Sequence, residues 1–123
     1  MPCDSDLAGK NILILENEGL LASIIADKFR CCGCIPIVVP RASCALTILR
    51  EETIHFVYVD MRSANMDPEC EKLPSALAGI PHVFVTGGFK EFTVPGYDLG
   101  APRIDKMVVE TEIVPLAAKL LSC

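Results

Sequence analysis

His55-Phe56-Val57-Tyr58-Val59-Asp60 decides the reading of this chain. Five residues that suit a buried strand end in one that does not, so the run delivers a carboxylate to a sheet edge. Two further runs stop the same way. Asn11-Ile12-Leu13-Ile14-Leu15 ends in Glu16-Asn17-Glu18, and His82-Val83-Phe84-Val85 ends in Thr86-Gly87-Gly88. A shorter run, residues 101–104, leads to Asp105-Lys106. Polar groups gathered at the carboxyl ends of apolar strands imply one polar pocket, because open α/β sheets place their sites there.

Outward from these strands the period changes. Leu20, Leu21, Ile24, Ile25 and Phe29 recur at helical spacing, which predicts a helix over about 18–32. Gly33 stands as its stop. Ile35-Pro36-Ile37-Val38-Val39 reads as a second strand, and its proline favours the sheet edge. Ser43 is a candidate cap for a helix carrying Ala45, Leu46, Ile48 and Leu49. Residues 61–66 read as a loop, and 67–78 as a weak helix complicated by Pro74. Residues 87–100, with three further glycines beyond Gly87, allow at most one helical turn near Phe89–Phe92, so the fourth helix is eroded. Val108 to Leu121 closes the chain as a helix containing Pro115. Residues 1–9 read as a flexible leader and 10–122 as one domain.

The alternation of short, continuously apolar strands with helices predicts a parallel sheet covered on both faces. Right-handed crossovers make a doubly wound, five-stranded α/β sheet of order 2-1-3-4-5, the flavodoxin-like arrangement, the expected answer. In that order strands 1 and 3 are neighbours. Glu16-Asn17 and Asp60 meet there, with Thr86 and Lys106 arriving from strands 4 and 5.

Bulk composition sets limits. The chain has 123 residues, enough for one domain with a real core. A net charge of −5 argues against non-specific nucleic-acid binding, which needs a basic footprint. The N-terminus carries no secretory pattern, and no apolar stretch is long enough to span a bilayer. A cytoplasmic protein with reduced thiols is therefore expected, despite seven cysteines. Cys31 and Cys34 form a C-x-x-C, but it follows a helix instead of opening one, where the dipole has the wrong sign to lower a thiol pKa.

Within the expected pocket, Glu16, Asp60 and Glu18 cluster with Lys106 as the clear cation. Clustered carboxylates raise one another's pKa unless a cation joins them, and hard oxygen ligands suit Mg²⁺. A carboxylate is also a nucleophile toward a phosphoryl group. Lys106 and the Thr86 hydroxyl could then each hold a phosphoryl oxygen, with Gly87 leaving room beside that hydroxyl.

These residues resemble a known family, the receiver domains of two-component response regulators. The resemblance spans about Lys10 to Leu121. It rests on the acidic cluster Glu16-Asn17-Glu18, Asp60 closing strand 3, Thr86 closing strand 4 and Lys106 after strand 5. It implies a stand-alone response regulator in a phosphorelay that is not an enzyme acting on a separate substrate. A histidine kinase or histidine phosphotransfer protein would donate to Asp60, Thr86 would be the switch hydroxyl, and Lys106 would pair with the phosphoryl group. Mg²⁺ would be held by Glu16, Asn17, Asp60 and the backbone carbonyl of Arg62. Arg62, Gly87, Gly88 and Arg103 would govern switching or access. A downstream protein would read the face of helix 4, strand 5 and helix 5, with no nucleic acid or membrane involved and the chain a monomer or homodimer.

The sequence departs from that family's pattern. Asn17 stands where a second metal-binding acid is usual and should weaken Mg²⁺. Met107 follows Lys106 in place of proline, and Arg103 replaces an aromatic switch partner. These departures keep open a pseudo-receiver that binds proteins without being phosphorylated. A flavodoxin-type cofactor site fits less well, because Glu16-Asn17-Glu18 would repel phosphate. An aspartate-dependent phosphatase would want an acid where Arg62 stands.

Overall fold

Apolar runs and turn signals become a five-stranded sheet of order β2-β1-β3-β4-β5, with every neighbouring pair parallel. A computed structural model describes residues 7–87 and 101–122. In chain order the elements are β1 (Asn11–Leu15), α1 (Gly19–Cys31), β2 (Ile35–Val39), α2 (Ala42–Glu51), β3 (Phe56–Asp60) and α3 (Met61–Asn65). A 3-10 turn (Pro68–Lys72), α4 (Leu73–Leu77), β4 (His82–Thr86), β5 (Arg103–Asp105) and α5 (Val109–Leu121) follow. Pro36 lies on β2, which pairs only with β1 and so forms the expected edge.

Alternation along each strand divides the core. Ile12, Ile14, Phe56, Tyr58, Val83, Val85 and Ile104 face α1 and α5, packing on Ile25, Phe29, Val109 and Ile113. Leu13, Leu15, Val57, Val59 and Phe84 face α2, α3 and α4. All five β3 residues are buried, as a central strand covered on both sides requires. Each fully buried Leu, Ile or Phe contributes about 1.5–3 kcal/mol. The two layers together therefore hold the strand ends in place.

α1 stops where its sequence says it should. Gly33 adopts φ +81°, and the Gly33 and Cys34 amides return to the carbonyls of Arg30 and Phe29 at 2.9 and 3.1 Å. A left-handed glycine with this pair of bonds closes the helix. The C-x-x-C thus straddles a helix C-terminus. Cys31 is exposed, while Cys34 is buried and its thiol donates to the Leu7 carbonyl.

Four expectations need correction. Leu7 is fully buried in the α1/α5 layer, and Gly9 N–H bonds to Gly33 O at 2.9 Å, so residues 7–9 belong to the domain. A single leucine among polar neighbours has no periodicity to announce this. Ser43 does not cap α2, whose N-cap is Arg41; the Ser43 amide donates to Asp67 Oδ2 at 2.9 Å. The span 61–78 is not a loop and one weak helix but α3, a 3-10 turn and α4. Each piece begins at a cap or a proline: Asp60 caps α3, Asp67 caps the 3-10 turn ahead of Pro68, and Pro74 lies in the first turn of α4. β5 begins at Arg103, later than expected. The helical turn expected near residues 89–92 lies outside the described residues.

Candidate functional site

Strand parity carries three charged side chains to one place. Glu16 continues the parity of Ile14, Asp60 that of Tyr58, and Lys106 that of Ile104, so all three emerge on the α1/α5 side at the carboxyl ends of β1, β3 and β5. Glu16 is 2% exposed and Asp60 1%. The Lys106 ammonium lies 3.3 Å from Glu16 Oε2, 3.5 Å from Glu18 Oε1 and 3.5 Å from Asp60 Oδ1. A single cation thus bridges carboxylates from two strands and the entry to α1.

Other groups of the chain donate to the same carboxylates. Tyr58, fully buried two residues before Asp60 on the same face, donates its hydroxyl to Glu16 Oε1 at 2.8 Å. The Glu18 amide donates to Glu16 Oε2 at 3.1 Å. Asp60 Oδ2 accepts both the Ser63 amide at 3.1 Å and the Ser63 hydroxyl at 2.6 Å, which caps α3. Asp60 thus caps α3 through Oδ2, while its other oxygen faces Lys106. Ser63 Oγ also lies 3.0 Å from Asn17 Oδ1 and accepts the Asn17 amide at 2.9 Å.

The electrostatics follow from this burial. Desolvation, then repulsion from Asp60, push the Glu16 carboxyl above the usual range, while Tyr58, the Glu18 amide and Lys106 pull the other way. Burial, then Glu16, push the Tyr58 phenol far up, so it stays a donor. For Lys106, desolvation favours the neutral amine, but the combined attraction of Asp60 and Glu16 outweighs it and the ammonium is held above its ordinary value.

The other expected residues fall at varied distances from this cluster. Thr86 ends β4 and accepts the Lys106 amide on its carbonyl at 2.8 Å, anchoring the lysine's backbone. It continues the parity of Phe84, on the opposite face, and among the described residues no hydrogen bond joins its hydroxyl to Asp60 or Lys106. Gly87 is exposed, with open space where a Cβ would point. Arg103 is exposed at the start of β5, paired with Phe84. Gly88 lies outside the described residues. His55 Nδ1 accepts the Asn11 amide at 3.0 Å, and His82 Nδ1 meets the Ile80 carbonyl at 2.7 Å, so both histidines flank strands in structural roles.

Solved structures of low sequence identity share this fold. A response regulator receiver protein from Sinorhizobium medicae is 17% identical, covering 95% of this chain and 98% of that one with a TM-score of 0.77. A putative response regulator from Chloroflexus aurantiacus is 16% identical, covering 94% and 99%, TM-score 0.76. The receiver domain of a sensor histidine kinase from Pseudomonas aeruginosa is 14% identical, covering 94% and 100%, TM-score 0.76. The chain has the receiver-domain fold. No protein-family model matches it, and no curated protein does. The likeness is therefore one of architecture, and the chemistry has to be argued from the side chains.

The Pseudomonas receiver is described with a magnesium ion coordinated in its active-site cleft. The donors of the present chain do not fit such an ion as they stand. Both acceptor sites of Asp60 Oδ2 are taken by Ser63, and Glu16 Oε2 is taken by Glu18 N–H and Lys106. Asn17 Oδ1 lies beside the Ser63 hydroxyl, and the Asn17 side-chain nitrogen donates to Met66 Sδ. Arg62, whose backbone carbonyl is expected as a ligand, is the second residue of α3, just after the Asp60 N-cap. Among the described residues no group of three or more His, Cys, Asp or Glu is arranged to hold a metal. Two members of the site, Tyr58 and Ser63, were not foreseen. Their signals are a hydroxyl two residues before Asp60 in an otherwise apolar strand, and a serine three residues after a capping aspartate.

Proposed function

We propose that the chain is a receiver-type response regulator whose Asp60 accepts a phosphoryl group from a phosphohistidine on a histidine kinase or phosphotransfer protein. The observation that carries this reading is the approach of Lys106 Nζ to Asp60 Oδ1 while Oδ2 is held by Ser63. One carboxylate oxygen is oriented by the protein, and the other faces a cation. Asp60 Oδ1 attacks phosphorus, the P–N bond to the donor imidazole breaks, and that imidazole leaves with the bonding pair and takes a proton from solvent. The product is an acyl phosphate. Lys106 leaves Glu16 to pair with a phosphoryl oxygen, supplying the charge neutralisation on which phosphoryl transfer chiefly depends.

The domain is then a stoichiometric acceptor and not a turnover enzyme. The added charge biases a two-state equilibrium through Lys106 and the Thr86 backbone that anchors it, with the Thr86 hydroxyl turning toward the phosphoryl group. A downstream protein reads the change on the surface around β5 and α5. Incubation with a small phosphodonor such as acetyl phosphate, followed by intact-protein mass measurement, tests the reading. One added phosphoryl group in the parent and none in Asp60→Asn is expected; no uptake by the parent, or equal uptake by both, rejects it.

A second reading has a specific observation in its favour. Asp60 is almost wholly buried and doubly bonded to Ser63, which suits a pseudo-receiver that binds its partner without phosphorylation. In that case a partner captured by the parent binds Asp60→Asn equally well, with or without phosphodonor.

A further inference from the structure

The Ser63 hydroxyl touches two of the oxygens expected to hold a metal ion, Asp60 Oδ2 and Asn17 Oδ1. It lies 2.6 Å from Asp60 Oδ2 and 3.0 Å from Asn17 Oδ1, and it accepts the Asn17 amide at 2.9 Å. We propose that Ser63 holds this point in place of a dication, so that the pocket is closed to magnesium by a neutral side chain and balanced by Lys106 as its cation.

Three features support the assignment. A hydroxyl has one proton, and the shorter contact gives it to Asp60, forming a charge-assisted bond. Ser63 is fully buried, and its own amide is bonded to the same carboxylate oxygen, so the side chain is fixed from two sides. Residue 17 is an amide and brings no charge to compete for a cation. Mg²⁺ demands near-ideal octahedral oxygen geometry and loses its waters reluctantly. To bind between Asn17 and Asp60 Oδ2 it would have to displace the Ser63 hydroxyl, and to reach Glu16 Oε2 it would have to displace Lys106. Asn17 alone would merely weaken a metal site; Ser63 occupies it.

The inference rests on the receiver reading for its choice of metal, but its test does not depend on phosphorylation. Magnesium chloride is titrated into the parent, Ser63→Ala, Asn17→Asp and the double variant, with binding read by calorimetry and by amide shifts of residues 16–17 and 60–63. Ser63→Ala keeps the residue 63 amide that Asp60 caps and adds a good helix former. The parent is expected to show no saturation in the millimolar range. Asn17→Asp alone gains little. Removal of the hydroxyl tightens binding by roughly tenfold or more, the strength of a hydrogen bond to a charged group, and the double variant binds tightest.

Saturable submillimolar binding by the parent overturns the proposal, as does an Asn17→Asp variant that binds as tightly as the double variant. If Ser63→Ala proves unfolded by circular dichroism, Asn17→Asp decides, since the exposed position 17 tolerates the change. Tight binding with Ser63 in place refutes the idea, and continued absence of binding sustains it. A chain that never takes a phosphoryl group would still give these titrations, so the two failures are separable.

Discussion

Tyr58→Phe isolates one atom of the charged cluster. The ring is fully buried between β1 and β4 on the α1/α5 side, and phenylalanine fills the same space. What disappears is the hydroxyl donated to Glu16 Oε1 at 2.8 Å. A hydrogen bond to a charged buried group is worth about 1.5–3 kcal/mol, and an oxygen left without its donor keeps its desolvation cost. Glu16 Oε2 retains the Glu18 amide and Lys106, so the lower half of that range is expected.

The loss should depend on pH, with a definite sign. Burial, then Asp60, already raise the Glu16 carboxyl, and Tyr58 is one of the groups that holds it down. A carboxyl raised on folding binds its proton more tightly in the folded state, so stability falls as pH climbs from the unfolded value through the folded one. The variant raises that carboxyl further and widens the window upward. Below both values Glu16 is neutral in each state, and the loss shrinks to that of a neutral bond, about 0.5–1.5 kcal/mol. Urea unfolding followed by circular dichroism near pH ~7 and again near pH ~4 reads both limbs. A difference under about 0.5 kcal/mol at neutral pH, or one that does not change between the two pH values, refutes the buried Tyr58–Glu16 bond.

Other perturbations probe the neighbours. Lys106→Ala strands two buried carboxylates; urea unfolding should show a loss of about 1–3 kcal/mol at neutral pH, discounted for the lysine's partial exposure and relieved in acid as Glu16 takes a proton. Asp60→Asn removes repulsion from Glu16 while an amide oxygen can still accept from Ser63, so thermal melting should show a variant at least as stable as the parent. Asp67 is held below the usual carboxylate range by the Glu69 amide, then by the Ser43 amide; its stabilisation is present above the unfolded pKa and lost as pH falls through the folded one. Melting curves across pH should therefore show Asp67→Ala weakened at neutral pH and converging on the parent in acid. Gly87→Ala meets open space at an ordinary φ, and its unfolding free energy should stay within about 0.5 kcal/mol of the parent.

The sheet was legible because its strands are continuous apolar runs ending in polar groups. Runs at 11–15, 56–60 and 82–86 leave few alternatives once crossovers are right-handed. Gly33 could be read as a helix stop because its left-handed conformation is one that glycine alone adopts cheaply. The span 61–78 was not legible. Its three short pieces are set by two capping aspartates and two prolines, which act on single turns and leave no period to detect. Leu7 was missed for the same reason.

At the site, Glu16, Asp60 and Lys106 were foreseen because each sits at or just beyond a strand end, where parity fixes its direction. Their hydrogen-bond partners were harder. Tyr58 reads as one more strand-forming aromatic until β1 is placed beside β3 and Glu16 comes within reach of its hydroxyl. Ser63 depends on α3 starting at once after Asp60, a turn that the sequence presented as loop. The metal expectation counted oxygens without asking which already accept hydrogen bonds, and Ser63 is the group that such a count leaves out.

The phosphoacceptor assignment is tested most directly by locating the acyl phosphate. Protein treated with a small phosphodonor is reduced with borohydride, which converts an aspartyl phosphate to homoserine, and the peptides are mapped by mass spectrometry. Homoserine at position 60 and at no other acid is the expected result. A folded protein that yields none, or that carries the modification on a different carboxylate, contradicts the account.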